Sequence, residues 1–176
     1  WILMCSSFSC AAAGVETLAD MTSSRILIVG DYMWPWYQEV CATALEDLGL
    51  TVVRFGWFDD FHYWREGCSE PVFHSLWHRI EYRFCIGPVV RRIHCRLLRR
   101  AAVSRPDIVW FYNVRLIPPR IIKEMRSLLP HALFVQFSND NPFSSLAKAG
   151  LWHNYLKSVP LFNVHLAARQ SNLEDY

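Results

Sequence analysis

Five short apolar runs recur along the chain, and each ends in residues that break regular structure. They are RILIVG at 25–30, TVVRF at 51–55, DIVWFY at 107–112, ALFVQF at 132–137 and LFNVHLA at 161–167. Short runs rich in β-branched and aromatic residues, bounded by turn formers, read as buried strands. Helical stretches lie between them. Residues 36–48 follow Pro35, carry Val40, Ala44, Leu45 and Leu48 at helical spacing, and stop at Gly49. Residues 71–104 predict one or two helices interrupted near Gly87-Pro88, because an internal proline removes a hydrogen bond and clashes with the preceding turn. Their stripe is Val89, Val90, Ile93, Leu97 and Leu98. Pro118-Pro119 opens a helix to Leu129, with Ile121, Ile122, Met125, Leu128 and Leu129 on one face. A short helical piece is expected around 151–157. This alternation predicts an α/β fold: a Rossmann-like doubly wound parallel sheet of about five strands in a single domain.

The 176 residues suffice for one domain, and 52% apolar with 19% charged residues excludes a disordered chain. No apolar run reaches the roughly 20 residues that span a bilayer. Six cysteines without C-x-x-C spacing read as reduced, mostly buried thiols, which points to a cytoplasmic protein. Residues 1–24 read as an unstructured or upstream leader, since they lack the basic start of a secretory signal and Met21 stands just before the first strand. The domain is expected over 25–176. The chain ends where a further helix should begin, so it reads as truncated. The net charge of +2 hides a basic run: Arg79, Arg83, Arg91, Arg92, Arg96, Arg99, Arg100 and Arg105, with Glu81 the one acid among them.

A parallel sheet gathers the carboxyl ends of its strands along one rim, where ligands bind. Asp31, Asp140 and Arg169 each follow a strand. A carboxylate there can serve as a general base, and an arginine can pair with a carboxylate or phosphate. Asp31 and Asp140 are thus candidate catalytic residues, with helix capping as the alternative role for both. Tyr32, Asn113, Arg115, Asn139, Asn141, Arg169 and Asn172 are candidate substrate contacts at the same exits. Other chemistries lack their residues. Gly30-Asp31 is followed by Tyr32, Met33 and Trp34, not by the glycines of a dinucleotide-binding turn. There is no GxxxxGK[ST] loop. A phosphoacceptor receiver domain would need an Asp where Tyr112-Asn113 stand and a Lys near Ala167-Ala168. His74 and His78 are four apart, with His94 farther on, but they lack the Glu of an HExxH site. No metal and no cofactor is expected.

RILIVGDYM, RPDIVWFYN with PPRIIKEM, FSNDNPFS and RQSNLEDY together resemble the CgeB-like (spore maturation protein type) bacterial glycosyltransferases. In that family a polar ND-[DN]-PF loop follows one strand and R-x-x-N-x-x-[DE]-Y follows the next. Asn139, Asp140, Asn141, Pro142 and Phe143 match the first pattern; Arg169, Asn172, Asp175 and Tyr176 match the second. The resemblance covers Arg25 to Tyr176. It implies the N-terminal, acceptor-side domain of a metal-independent GT-B glycosyltransferase. A C-terminal domain not present in this chain would hold the nucleotide-sugar donor. The acceptor stays open, and this stretch alone is expected to be inactive. The alternative is a non-catalytic Rossmann-like binding or scaffolding module that uses the basic helix and the aromatic loop 56–64. Arg91, Arg92, Arg96, Arg99 and Arg100 suit a peripheral contact with the inner membrane face. A solvated basic face, or one paired with an acidic neighbour, is the plainer reading. No nucleic-acid partner is expected.

Overall fold

The computed structural model describes residues 2–5, 24–34, 36–61, 72–113, 115–144, 152–168, 170 and 174–175, with the backbone alone for 2–5 and 72–75. Strands β1 (Ile2–Cys5), β2 (Arg25–Val29), β3 (Thr51–Phe55), β4 (Ile108–Tyr112), β5 (Leu133–Ser138) and β6 (Val164–Ala167) form one sheet in the order β1-β6-β5-β4-β2-β3. The five strands from β2 onward are all parallel. Their order is 2-1-3-4-5 in chain sequence, one of the common doubly wound arrangements. The expected α/β architecture is present.

The helices are α1 (Gln38–Asp47), α2 (Val72–Phe84), α3 (Pro88–Ser104), α4 (Pro119–Leu128) and α5 (His153–Ser158). The chain moves one way from β2 to β3 and the other way from β3 to β4. Right-handed crossovers therefore place α1 on one face and α3 and α4 on the other. The packing agrees. Leu27, Val29, Val109, Phe111 and Phe134 share a core with Val90, Ile93 and Leu97 of α3 and Ile121, Ile122 and Met125 of α4. Ile26 and Ile28 pack with Ala42 of α1. Central strands buried on both faces need continuous apolar sequence, and Leu27, Ile28 and Val29 are wholly inaccessible. Burying side chains of this size stabilises the fold by about 1.5–3 kcal/mol each, before entropy is counted.

Three expectations need correction. Residues 2–5 lie inside the stretch read as a leader, yet they form a strand that pairs antiparallel with β6. Without it, that side of β6 would carry unpaired backbone groups. The face of α1 is also different. Gln38 and Ala42 are buried and Cys41 and Leu45 half-buried, whereas Val40 and Leu48 are 57% and 69% exposed. Both sets have helical spacing; the choice falls to Gln38, which packs against Gly30 so closely that a Cβ there would lie 2.8 Å from Nε2. Leu128 likewise points outward, and Leu129 alone of that pair is buried.

The break at Gly87-Pro88 falls as expected, between α2 and α3. Gly87 has φ +109°, and an added Cβ would sit 2.0 Å from Oε1 of Glu81. Glu81 is fully buried, and Oε1 accepts the Val89 amide at 3.3 Å, which satisfies an otherwise free N–H at the start of α3. Gly87→Ala should therefore destabilise the protein by about 1–3 kcal/mol. Thermal melting followed by circular dichroism checks this; an unchanged midpoint would mean that Glu81 gives way freely.

Candidate functional site

After β2 the chain turns to one face of the sheet, and after β4 it turns to the other. The loops at their carboxyl ends diverge, and the crevice between them is the usual ligand position in such sheets. Tyr32 and Asn113 stand just beyond the two strands, at φ 58° and 53°. Asparagine tolerates that left-handed backbone, but a bulky tyrosine there is strained.

Asp31 is half-buried. Its Oδ1 accepts the Met33 amide at 3.2 Å and Gln38 Nε2 at 3.1 Å. These bonds fold the Asp31–Met33 turn and tie it to α1. Tyr32 tucks beneath Gly56, where a Cβ would lie 3.0 Å from its ring. Burial pushes the Tyr32 phenol well above its ordinary range, against the pull of Arg54. Arg54 itself forks between Glu39 and Glu46 and so ties edge strand β3 to α1.

Across the crevice, Ser138 is the hub. Its hydroxyl accepts the Asp140 amide at 3.2 Å and lies 3.0 Å from Asn113 Oδ1, to which it can donate. Asn113 Nδ2 donates to Asp140 Oδ2 at 3.1 Å. Asp140 is exposed, and its Oδ1 makes no hydrogen bond within this network. Asn141 Oδ1 accepts the amides of Phe143 and Ser144. Asn141 therefore shapes the loop; a helix for Asp140 to cap, its alternative role, would lie past Ser144, outside the described residues. Asp31 does not cap α1, whose N-cap position is Tyr37.

Tyr112 joins the two sides. It is buried, and desolvation raises its phenol above the ordinary range; Cys41, Tyr37, Asp31 and Asp140 add to the effect in that order. Both candidate bases thus act on one phenol, which stays protonated and available as a donor. Trp34, Trp36 and Tyr37 are exposed, and their rings form a ladder toward it: 5.0 Å from Trp34 to Trp36, 6.4 Å on to Tyr37 and 6.0 Å to Tyr112. Three buried polar atoms nearby lack a hydrogen bond: Tyr32 Oη, Gln38 Oε1 and Asn139 Oδ1. Buried Trp57 Nε1, Trp110 Nε1 and Gln136 Oε1 elsewhere in the fold share that condition, so it does not single out the crevice.

The other candidates are placed differently. Arg115 stacks its guanidinium 5.1 Å from the centre of the Trp152 ring and hydrogen-bonds Tyr82, so it serves packing between helices. Arg169 and Asn172 lie outside the described residues. The cavity of about 340 Å³ beside Asp31 is lined by Tyr32, Gly56, Phe58 and Asp59 and does not reach Asp140. In the aromatic loop, Trp57 and Phe61 are buried in the core rather than offered to a partner. The side chain of His74 is outside the described set. His78 is buried, and His94 bonds the Leu116 carbonyl at 3.1 Å. Tyr112, Ser138 and Gln38 are the additions to the site. Gln38 left a trace in sequence as a polar residue in register with Ala42 and Leu45, and Ser138 as the residue that opens the polar cluster after the fourth apolar run.

Compared with family models, with curated proteins and with solved structures, the chain matches none.

Two outcomes follow from this geometry. Ser138→Ala leaves Asn113 and the Asp140 amide short of a partner and should cost about 1–3 kcal/mol, measured by urea unfolding. His94 and His165 are held below the ordinary imidazole range, in both cases mainly by burial. The unfolded chain takes up protons near pH 6.5 that the folded one refuses. Their contribution is whole above that pH and shrinks as the pH falls below it. The melting midpoint should drop from about pH 7.5 to pH 5.5, less steeply in His94→Gln, when melts of both proteins are compared across that range.

Proposed function

We propose that the chain is the acceptor-side domain of a sugar transferase of the CgeB-like type, drawing on a nucleotide-sugar donor without a metal ion. Asp140 is the base that removes a proton from the acceptor hydroxyl. The observation that carries this reading is the state of its carboxylate. Asn113 holds one oxygen at 3.1 Å, and the exposed side chain leaves the other for a substrate proton. Asp31 is the weaker candidate, because the Met33 amide and Gln38 occupy Oδ1 and fix its loop. Asp31 and the Tyr112 phenol orient the acceptor beside the base. The Trp34–Trp36–Tyr37 ladder supports a sugar or similar ring, whose apolar face suits an aromatic surface while its hydroxyls meet the amides and carboxylates.

A positioned general base is worth about 10²–10⁴-fold in rate. In the full-length protein, Asp140→Asn should lower kcat by that factor with little change in melting temperature. Asp31→Asn should lower the melting temperature and reduce kcat less. The opposite ranking would transfer the base to Asp31. If the full-length protein bound no nucleotide sugar by calorimetry, the transferase reading would fall.

A further inference from the structure

The outer faces of α2 and α3 take no part in the site described above. In α3 the buried residues are Val90, Ile93, His94, Leu97, Ala101 and Ser104. The opposite face carries Arg91, Arg92, Arg96, Arg99 and Arg100, all exposed, and α3 contains no acidic residue. Arg96 pairs with Asp60. Among the described residues, Arg91, Arg92, Arg99 and Arg100 form no ion pair. Helix α2 adds apolar groups to this charge. Leu76, Trp77 and Phe84 are 53%, 46% and 63% exposed, and Ile86 in the following turn is 61% exposed. Exposed Arg79 and Arg83 lie among them, with the Arg83 guanidinium 5.8 Å from the centre of the Phe84 ring. Ile86 and Arg91 border the same cavity, so the apolar end of α2 adjoins the basic start of α3.

We infer that this surface docks on an anionic phospholipid bilayer. A face on which arginines outnumber the acids at its border, Asp60 by Arg96 and Glu124 by Arg91, selects an anionic occupant. Exposed Leu, Phe and Ile beside it would stay in water against a nucleic-acid backbone, but enter the headgroup boundary of a membrane. Trp77 is the residue type enriched at that boundary, where its ring is apolar and its N–H is met. Among the described residues no helix is long and apolar enough to cross a membrane, so the contact is peripheral. Arginines near an anionic leaflet each strengthen binding about fivefold at moderate salt. The inference does not rest on the sugar-transfer reading.

Sedimentation of the chain with vesicles tests it. Vesicles of phosphatidylcholine and phosphatidylglycerol, at about 3:1, should retain the protein, and pure phosphatidylcholine should not. Changing Arg92, Arg99 and Arg100 together to Gln should weaken retention on the order of 100-fold, while Lys at the same positions should preserve most of it. Trp77→Ala with Phe84→Ala should remove the part of binding that survives high salt. Circular dichroism confirms that each variant is folded. Retention on neither vesicle, equal retention on both, or unchanged retention of the folded Gln variant would overturn the proposal. So would tighter capture by a short RNA or DNA duplex, which would make the face a nucleic-acid surface.

Discussion

In a parallel sheet, a right-handed crossover that travels in one direction must pass over one face, and one that travels back must pass over the other. This chain reverses direction once, between β3 and β4. That reversal puts α1 on one face, α3 and α4 on the other, and opens a gap between the loops that follow β2 and β4. Asp31, Tyr32, Tyr112 and Asn113 come together because they sit at the two strand ends beside the gap. Asp140 reaches the same place from β5, one strand farther on, through Ser138 and Asn113.

The crevice is held by polar bonds rather than by apolar packing. Gly30 lets Gln38 approach the sheet, and Gln38 in turn fixes Asp31. A buried polar atom without a partner costs about 1–3 kcal/mol, so Gln38 Oε1, Tyr32 Oη and Asn139 Oδ1 are expensive if left dry. Other buried polar atoms of the fold, among them Trp57 Nε1, Trp110 Nε1 and Gln136 Oε1, share that condition, and positive φ occurs at Cys85 and Arg105 as well as at Tyr32 and Asn113.

The sheet was legible because strands buried on both faces tolerate little except Leu, Ile, Val and aromatics. Four of the five parallel strands lie within the apolar runs and β5 runs one residue past its own, to Ser138, while β6 starts later than its run because Val159–Leu161 forms a 3-10 turn. The face of α1 was not legible, since Val40-Ala44-Leu48 and Gln38-Ala42-Leu45 repeat with the same period. Only a long-range contact with Gly30 separates them. The strand Ile2–Cys5 was hidden for a similar reason: four apolar residues become a strand only when β6 offers its free edge. Of the site, the strand-end positions of Asp31, Asn113 and Asp140 could be read directly. The role of Ser138 could not, because a hydroxyl in a polar cluster shows its partners only when two strands are side by side. Nor could the fate of Arg115, which a neighbouring Trp152 draws into packing.

The connection from β3 to β4 is far longer than closure of the sheet requires. A parallel crossover needs about a dozen residues or more, and one helix suffices to cover the strands. Helix α3 does that by itself, with Val90, Ile93 and Leu97 in the core. Of residues 76–84 in the preceding helix, His78 and Glu81 are buried, Glu81 serves to cap α3, and Tyr82 packs against the core beside Phe61. Most of α2's large apolar residues in that span, Leu76, Trp77 and Phe84, instead face solvent beside arginines. The outward placing of Leu76, Trp77 and Phe84 is not explained by packing against the described core. The sequence of α2 makes sense if the outward face meets something apolar and anionic, and α3 carries the matching charge on the side that folding leaves free.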